Sequence, residues 1–451
     1  MQGLIAAYLA ALSIAICAWV LWDYLRGKRE LMSLRNVFLA GFVLFQPLSG
    51  AIMLATGGWG AFLPSNPVAA GVQFSAMATV FAVVFIFVYD RGWGARRLAE
   101  RLPRPRSCPS DTALMFVAIM AMLIAVPLRL SVNIPLVATL AGLLGGSLAI
   151  AAPALALWVW AKRPLNPVVA SLTAIIFIVC FLTIVTGTFG RRGVLALGLA
   201  VVWVLYFARW RYLRPQVALV RIAVAGLIPI LLVAAFTTVR EHSSIAKERD
   251  ARAQVDALRN ARLWEGVQTM SLGQGVGGIS MWLIDVFPEQ FEYRHLHTLY
   301  YYAVYPTPRN WWEDKPFPLS YEIPFLALQN VERGNHTTAP GIVGHAAAEG
   351  GWYALFVYAV VFALGMRFLD DIVLHGWYNP LIVVAVVGGL GQTMGVPRGD
   401  TAVMAWLMTA AILATWFVFL CAARFFDAVS ASRGSPTAVA SSIPGATPRR
   451  T

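Results

Sequence analysis

The chain has 451 residues, of which 59% are hydrophobic and only 13% are charged. Soluble domains carry about 25% charged residues, so this composition excludes an ordinary soluble protein and predicts a polytopic membrane protein. A net charge of +13 would suggest nucleic acid binding in a soluble chain. Basic loops that orient membrane helices account for it here, so no nucleic acid partner is expected.

Apolar runs of roughly 18 or more residues predict membrane-spanning helices. No small-residue cleavage site follows the first run, which is therefore interpreted as a span and not as a signal peptide. Eleven runs are expected to span, at 3–22, 36–55, 66–89, 112–128, 133–160, 165–186, 193–208, 217–238, 351–366, 378–395 and 402–422. The run at 133–160 is long for one span, so it is either tilted or contains a re-entrant turn. The predicted fold is an all-α membrane bundle of about 11–12 helices.

Lys and Arg are distributed unequally between the two sets of connecting loops. Four short loops carry four basic residues, whereas the alternate loops and the carboxyl tail carry 20. The second set is predicted to be cytoplasmic, which places the amino terminus and the long loop outside and the carboxyl terminus inside. The predicted units are an eight-helix bundle (1–238), a large outer loop between helices 8 and 9 (239–350), three further helices (351–422) and a disordered cytoplasmic tail (423–451).

The long loop holds five of the six histidines and the densest polar cluster of the chain. Charges interleaved with apolar residues at helical spacing predict an amphipathic helix on the membrane surface over Glu241 to Val267. The Gly-rich run from Gly273 to Gly278 lacks a phosphate-loop ending and is interpreted as a hinge. A helix packed on the bundle is expected within 279–305, and the Pro-punctuated segment 305–316 is predicted to be a loop.

The positions of the charged residues favour some classes of membrane protein over others. None of the eleven apolar runs contains Asp or Glu, which argues against a proton- or ion-coupled transporter. Arg191, Arg192 and Arg398 lie instead in outer loops, where arginine is generally avoided. Arginine binds phosphate or carboxylate through two parallel hydrogen bonds, so these three side chains are candidates for a pyrophosphate site. The alternative is that they extend to lipid headgroups.

Candidate partners for these arginines lie in the long loop. Arg309 and Lys315 add two cations, and Trp311 and Trp312 either stack on sugar faces or belong to an interfacial aromatic belt. Glu349 either caps a helix or acts as a general base, with His336 and His345 as the other candidate bases.

Metal chemistry is not expected from this sequence. His295 and His297 would share one face of a strand, but two ligands without a third make a weak metal site. The short outer loops contain a single carboxylate, Asp400. No metal and no other cofactor are therefore expected.

Three of these features together resemble the bacterial oligosaccharide repeat-unit polymerases, the Wzy-type O-antigen and exopolysaccharide polymerases. They are Gly190-Arg191-Arg192, the cluster from Pro308 to Pro316, and the segment from Gly344 to Gly351, where relatives tend to have an aromatic and Asn-Phe-Gly after the Glu. The resemblance is strongest over roughly 185–370 and matches the last feature only in part.

The resemblance implies a GT-C-like bundle in the bacterial inner membrane. The implied activity transfers a growing glycan from undecaprenyl pyrophosphate to a new lipid-linked repeat unit, without metal. Arg191, Arg192 and Arg309 would hold the pyrophosphate, with Lys315 and Arg398 as further cations, and Glu349 or His336 would take the acceptor proton. A chain-length regulator is an implied partner. The alternatives are an O-antigen ligase, a transporter of lipid-linked sugars, and a structural member of an envelope complex.

Overall fold

The computed structural model describes residues 1–102, 108–130, 135–188, 191–242, 275–328 and 336–432. These residues form helices and turns and contain no strand. Nine of their helices are at least 18 residues long and apolar enough to cross a membrane. The chain is therefore a multi-pass membrane protein, and the predicted all-α bundle is confirmed at that level.

The helices are numbered here in chain order. The first ten are α1 (Gln2–Leu25), α2 (Leu34–Phe45), α3 (Pro47–Thr56), α4 (Pro67–Arg91), α5 (Trp93–Arg101), α6 (Asp111–Leu130), α7 (Pro135–Lys162), α8 (Pro167–Thr188), α9 (Arg191–Ala208) and α10 (Pro215–His242). The others are α11 (Val276–Val286), α12 (His297–Val304), α13 (Leu319–Ala327), α14 (Gly341–Gly350), α15 (Trp352–His375), α16 (Pro380–Ala385), α17 (Val387–Gly395) and α18 (Thr401–Ser432).

Two of the predicted spans are divided in the structure, and a third is a shorter helix. The run at 36–55 is divided into α2 and α3 by Gln46 and Pro47, because proline has no N–H to continue the helical ladder. The run at 378–395 is divided at Val386 into α16 and α17. The helix that corresponds to the run at 193–208, α9, is shorter than the nine helices long enough to cross a membrane. The run at 133–160 is one continuous helix, α7, so the re-entrant alternative is wrong.

The centre of the bundle is formed by α2, α7, α9 and α17. The second span and α7 are the most deeply buried of the long helices, whereas α1 and α10 are among the least buried. Helix α17 packs against α2, α7, α9 and α18. Its contact with α2 is backbone to backbone, because a Cβ added at Gly41 would lie 2.2 Å from the Met394 carbonyl oxygen.

Two short helices of the predicted outer loop, α11 and α14, pack against each other and against the membrane-spanning helices. Helix α11 is buried along almost its whole length, and it approaches α3 so closely that a Cβ at Gly277 would lie 2.4 Å from the Gly50 nitrogen. The amphipathic helix predicted over Glu241 to Val267 lies almost wholly outside the described residues. Helix α18 extends to Ser432, beyond the predicted end at 422, and the rest of the tail also lies outside them.

Candidate functional site

A buried network of hydrogen bonds surrounds Glu349 near the end of α14. Its carboxylate accepts the Thr298 N–H (2.7 Å), the Thr298 hydroxyl (2.6 Å), the His345 Nδ1–H (3.0 Å) and the Tyr358 hydroxyl. Burial raises the pKa of Glu349, but the hydrogen bonds from His345 and Thr298 outweigh it and hold the pKa below its ordinary value. An ionised, fully buried Glu349 therefore fastens α12 and α15 to α14.

His345 extends this network to the start of α18. Its Nε2 accepts the Thr401 N–H at 3.1 Å and lies 3.9 Å from the Asp400 carboxylate. Burial lowers the pKa of His345, and the charges of Asp400 and Glu349 more than offset this and raise it. A protonated Nε2 would nevertheless point its N–H at the Thr401 N–H. We therefore assign the neutral ring with its proton on Nδ1.

Asp400 joins two further elements to the same network. One carboxylate oxygen caps α18 by accepting the Val403 N–H, and the other accepts the Ser320 N–H at the start of α13, each at 3.1 Å. Burial and the negative charge of Asp400 together raise the pKa of Tyr301 to about 12. The network thus joins α12, α13, α14, α15 and α18 at one end of the bundle, called here the site end.

The segment 305–316 is a loop, as predicted, and two of its cations hold it closed. Arg309 donates to the carbonyl oxygens of Lys315 (2.7 Å) and Pro316 (3.0 Å). The Lys315 ammonium donates to the carbonyl oxygens of Tyr305 (2.7 Å) and Thr307 (2.8 Å). Burial and the charge of Arg309 lower the pKa of Lys315. Both predicted pyrophosphate ligands are therefore engaged with the backbone of their own loop.

This loop is attached to α18 at the site end. The Tyr305 ring lies 4.9 Å from the Trp406 ring, and the Tyr302 hydroxyl donates to the Thr409 hydroxyl at 3.0 Å. Trp311 is 72% exposed and Trp312 is partly buried. Trp311 thus presents an open ring face, which suits both of its predicted roles, stacking on a sugar and lying in an interfacial belt.

Arg192 and the turn that contains Arg398 lie beside Met404 on α18. The Arg192 Nη1 is 3.5 Å from the Met404 sulfur. Arg398 belongs to the turn between α17 and α18, and a Cβ at its neighbour Gly399 would lie 3.0 Å from the Met404 Cγ. The Arg398 guanidinium also lies 5.4 Å from the centre of the Phe45 ring. The Arg192 side chain and the turn that contains Arg398 therefore lie beside the same residue, although they are about 200 residues apart in sequence.

Arg191 and His336 are the two remaining candidates from the sequence. Arg191 is the first residue of α9, and its side chain lies outside the described part of the structure. His336 is exposed on the segment that leads to α14.

The predicted strand at His295 and His297 is wrong. His295 and Leu296 adopt positive φ in a turn, and His297 begins α12. His295 Nδ1 lies 2.9 Å from the Tyr353 hydroxyl, and His297 Nε2 lies 2.9 Å from the Phe317 carbonyl oxygen. No cluster of three potential metal-ligating His, Cys, Asp or Glu side chains occurs among the residues that the structure describes.

Sequence reasoning did not identify the partners that close this network, Thr298 and Tyr358, nor the bridging role of Asp400. It also missed a second buried cluster further along α15. There the Asp370 carboxylate accepts the Leu34 N–H (2.7 Å), the Arg35 N–H (3.1 Å) and the Tyr89 hydroxyl (2.7 Å), and so caps α2. The signal available in the sequence was an acidic residue just beyond an apolar run.

Comparison with known proteins finds no match to this chain: no protein-family model, no curated protein and no solved structure is similar to it.

Proposed function

We propose that this chain is a metal-independent membrane glycosyltransferase that joins oligosaccharide repeat units carried on undecaprenyl pyrophosphate. The supporting observation is that sequence features from distant parts of the chain meet at the site end. The Arg192 side chain contacts Met404 on α18, and the turn that contains Arg398 lies beside the same residue. The loop that contains Arg309 packs on the same helix through Tyr305 and Trp406.

In the proposed reaction, a hydroxyl oxygen of the acceptor sugar attacks the anomeric carbon of the donor glycan. The bond from that carbon to the pyrophosphate oxygen breaks, and the lipid pyrophosphate leaves with the electron pair. Arg192 and Arg398 stabilise the developing negative charge, as fixed cations do at other phosphate-releasing sites. Arg309 and Lys315 contribute mainly by fixing the loop that presents Trp311.

Glu349 serves as an anchor in this proposal, because four donors already occupy its carboxylate. Of the two residues given the role of base by the resemblance, His336 is the exposed one. Pyrophosphate is a good leaving group, so the acceptor proton can pass to His336 or to the departing phosphate without a strong base.

The test is polysaccharide length on a gel from cells that carry only the Arg398→Ala or the Arg192→Ala variant. We expect single repeat units to accumulate on lipid while the protein level stays normal. Arg294→Ala is the matched control, because Arg294 lies on an adjoining segment and forms an ion pair with Glu322 at 3.4 Å instead of contacting Met404. Long chains left on the carrier would indicate a ligase, and unchanged polymer in both variants would refute the pyrophosphate role of the arginines.

A further inference from the structure

The second span is interrupted at a fully buried glutamine. Helix α2 ends at Phe45, Gln46 leaves the helical conformation, and Pro47 begins α3. An amide side chain is costly to bury without a hydrogen bond. The hydrogen-bond partner of Gln46 therefore indicates which part of the structure the helix break holds in place. The Gln46 Nε2 donates to the Pro397 carbonyl oxygen at 2.6 Å, a contact that also fixes which end of the amide is the nitrogen.

The acceptor of this bond lies directly before Arg398. The same Pro397 carbonyl oxygen accepts the Ile342 N–H from α14 at 3.3 Å, and the Arg398 N–H bonds back to Gly395 at 3.0 Å. Past Arg398, Asp400 is held by Ser320 and Val403. The turn that contains Arg398 is thus held by hydrogen bonds before and after the arginine. Gln46 contributes one of these bonds, from its side chain in the second span.

Gly341 leaves the space that this bond requires. Its φ is +65°, in the left-handed region that favours glycine. A Cβ there would lie 2.0 Å from the Gln46 Nε2 and 2.8 Å from the Pro397 carbonyl oxygen. Any side chain at position 341 would therefore displace the amide, so α14 and the helix break are fitted to each other around the Gln46–Pro397 bond.

We propose that Gln46 is a positioning residue that holds the Arg398 turn ready to bind the pyrophosphate group of the lipid carrier. This inference rests on the proposed function. A cation that is already fixed loses less conformational entropy when it binds its ligand than one that must be ordered at that moment. The side-chain hydrogen bond of Gln46 goes to the turn, so its effect on binding is expected to pass through Arg398.

The experiment measures the dissociation constant of undecaprenyl pyrophosphate for the full-length protein in lipid nanodiscs. The variants are Gln46→Met, which keeps the shape and removes the donor, Arg398→Ala, and the two combined. Gln46→Asn keeps the amide but shortens its reach, and it replaces Gln46→Met if that variant does not fold. Thr393→Val is the control, because this buried hydroxyl donates only to the Gly389 carbonyl of its own helix, at 2.9 Å.

We expect Arg398→Ala to weaken binding by about tenfold or more, the effect of one charge-assisted hydrogen bond. Gln46→Met should weaken it by about threefold to tenfold, the ordering cost of one long side chain. In the Arg398→Ala background, Gln46→Met should change binding by less than about twofold, and Thr393→Val should have no effect in either background.

Two results would overturn the inference in different ways. If Gln46→Met weakens binding equally with and without Arg398, Gln46 does not act through Arg398, and the proposed function stands. If Arg398→Ala leaves the affinity of the wild-type protein unchanged, the arginine does not bind pyrophosphate, and the proposed function fails together with the positioning role.

Discussion

Replacing Glu349 with glutamine tests whether this carboxylate is an anchor or a base. The carboxylate oxygens face two pairs of donors: the Thr298 hydroxyl and His345 on one side, and the Thr298 N–H and Tyr358 on the other. If the new NH₂ group takes the second side, the Tyr358 hydroxyl can rotate, but the backbone N–H of Thr298 cannot. If it takes the first side, His345 must move its proton to Nε2, which then opposes the Thr401 N–H.

Either placement leaves at least one buried N–H without an acceptor and removes the charge that strengthened the other bonds. An unsatisfied buried donor costs about 1–3 kcal/mol, and a hydrogen bond to a charged group is worth about 1.5–3 kcal/mol, so we expect a loss of about 3 kcal/mol. Reversible unfolding in mixed micelles measures this loss. Glu322→Gln is the control, because Glu322 pairs with the partly exposed Arg294, and we expect a loss below about 1 kcal/mol there.

A Glu349→Gln protein as stable as the Glu322→Gln protein would contradict the predicted loss of stability. If the Glu349→Gln protein is stable but inactive, Glu349 takes part in the reaction as a base and not as an anchor. A destabilised Glu349→Gln protein that still forms polymer when expressed at low temperature would support the anchor.

Two further outcomes are expected. Folding lowers the pKa of Glu349, so the stability that the ionised carboxylate contributes is present above its ordinary pKa of 4.5 and is lost as the pH falls through the lower pKa of the folded protein. The difference in unfolding free energy between wild type and Glu349→Gln should therefore shrink below about pH 4.5. A constant difference from pH 6 to pH 3 would contradict this. Gly41→Ala should destabilise the bundle by about 1–3 kcal/mol, because its Cβ would overlap the Met394 carbonyl oxygen, whereas the same change at the uncrowded Gly365 should have a much smaller effect; equal unfolding curves for the two variants would argue against the close packing of α2 and α17.

The positions of the helices could be predicted because their cause is local. A long apolar run buries its backbone polar groups within a helix wherever it lies in the fold, so the spans were recognised from composition alone. The loop at 305–316 was predicted for the same kind of reason, because its prolines prevent regular structure over that stretch. The predicted span at 36–55 is divided at Gln46 and Pro47. The sequence contains the proline, but whether a proline breaks an apolar run depends on whether neighbouring segments can satisfy the polar groups at the break.

The roles of the site residues depended on contacts that no local pattern contains. The sequence indicates a role for Glu349 because this residue precedes a span, yet whether its carboxylate is an open base or a hydrogen-bonded anchor depends on Thr298, 51 residues earlier. Arg309 is a candidate in the sequence because arginine suits pyrophosphate, but only the folded loop shows that its guanidinium binds the loop's own carbonyl groups.

The sequence by itself therefore determined the membrane-spanning character, the helical class and the chemical types available at the site. Only the tertiary structure decided which of those side chains are already satisfied by hydrogen bonds within the protein. The physical reason is that hydropathy acts on each segment separately, whereas a hydrogen bond such as that between Gln46 and Pro397 requires two segments 351 residues apart to meet within 2.6 Å.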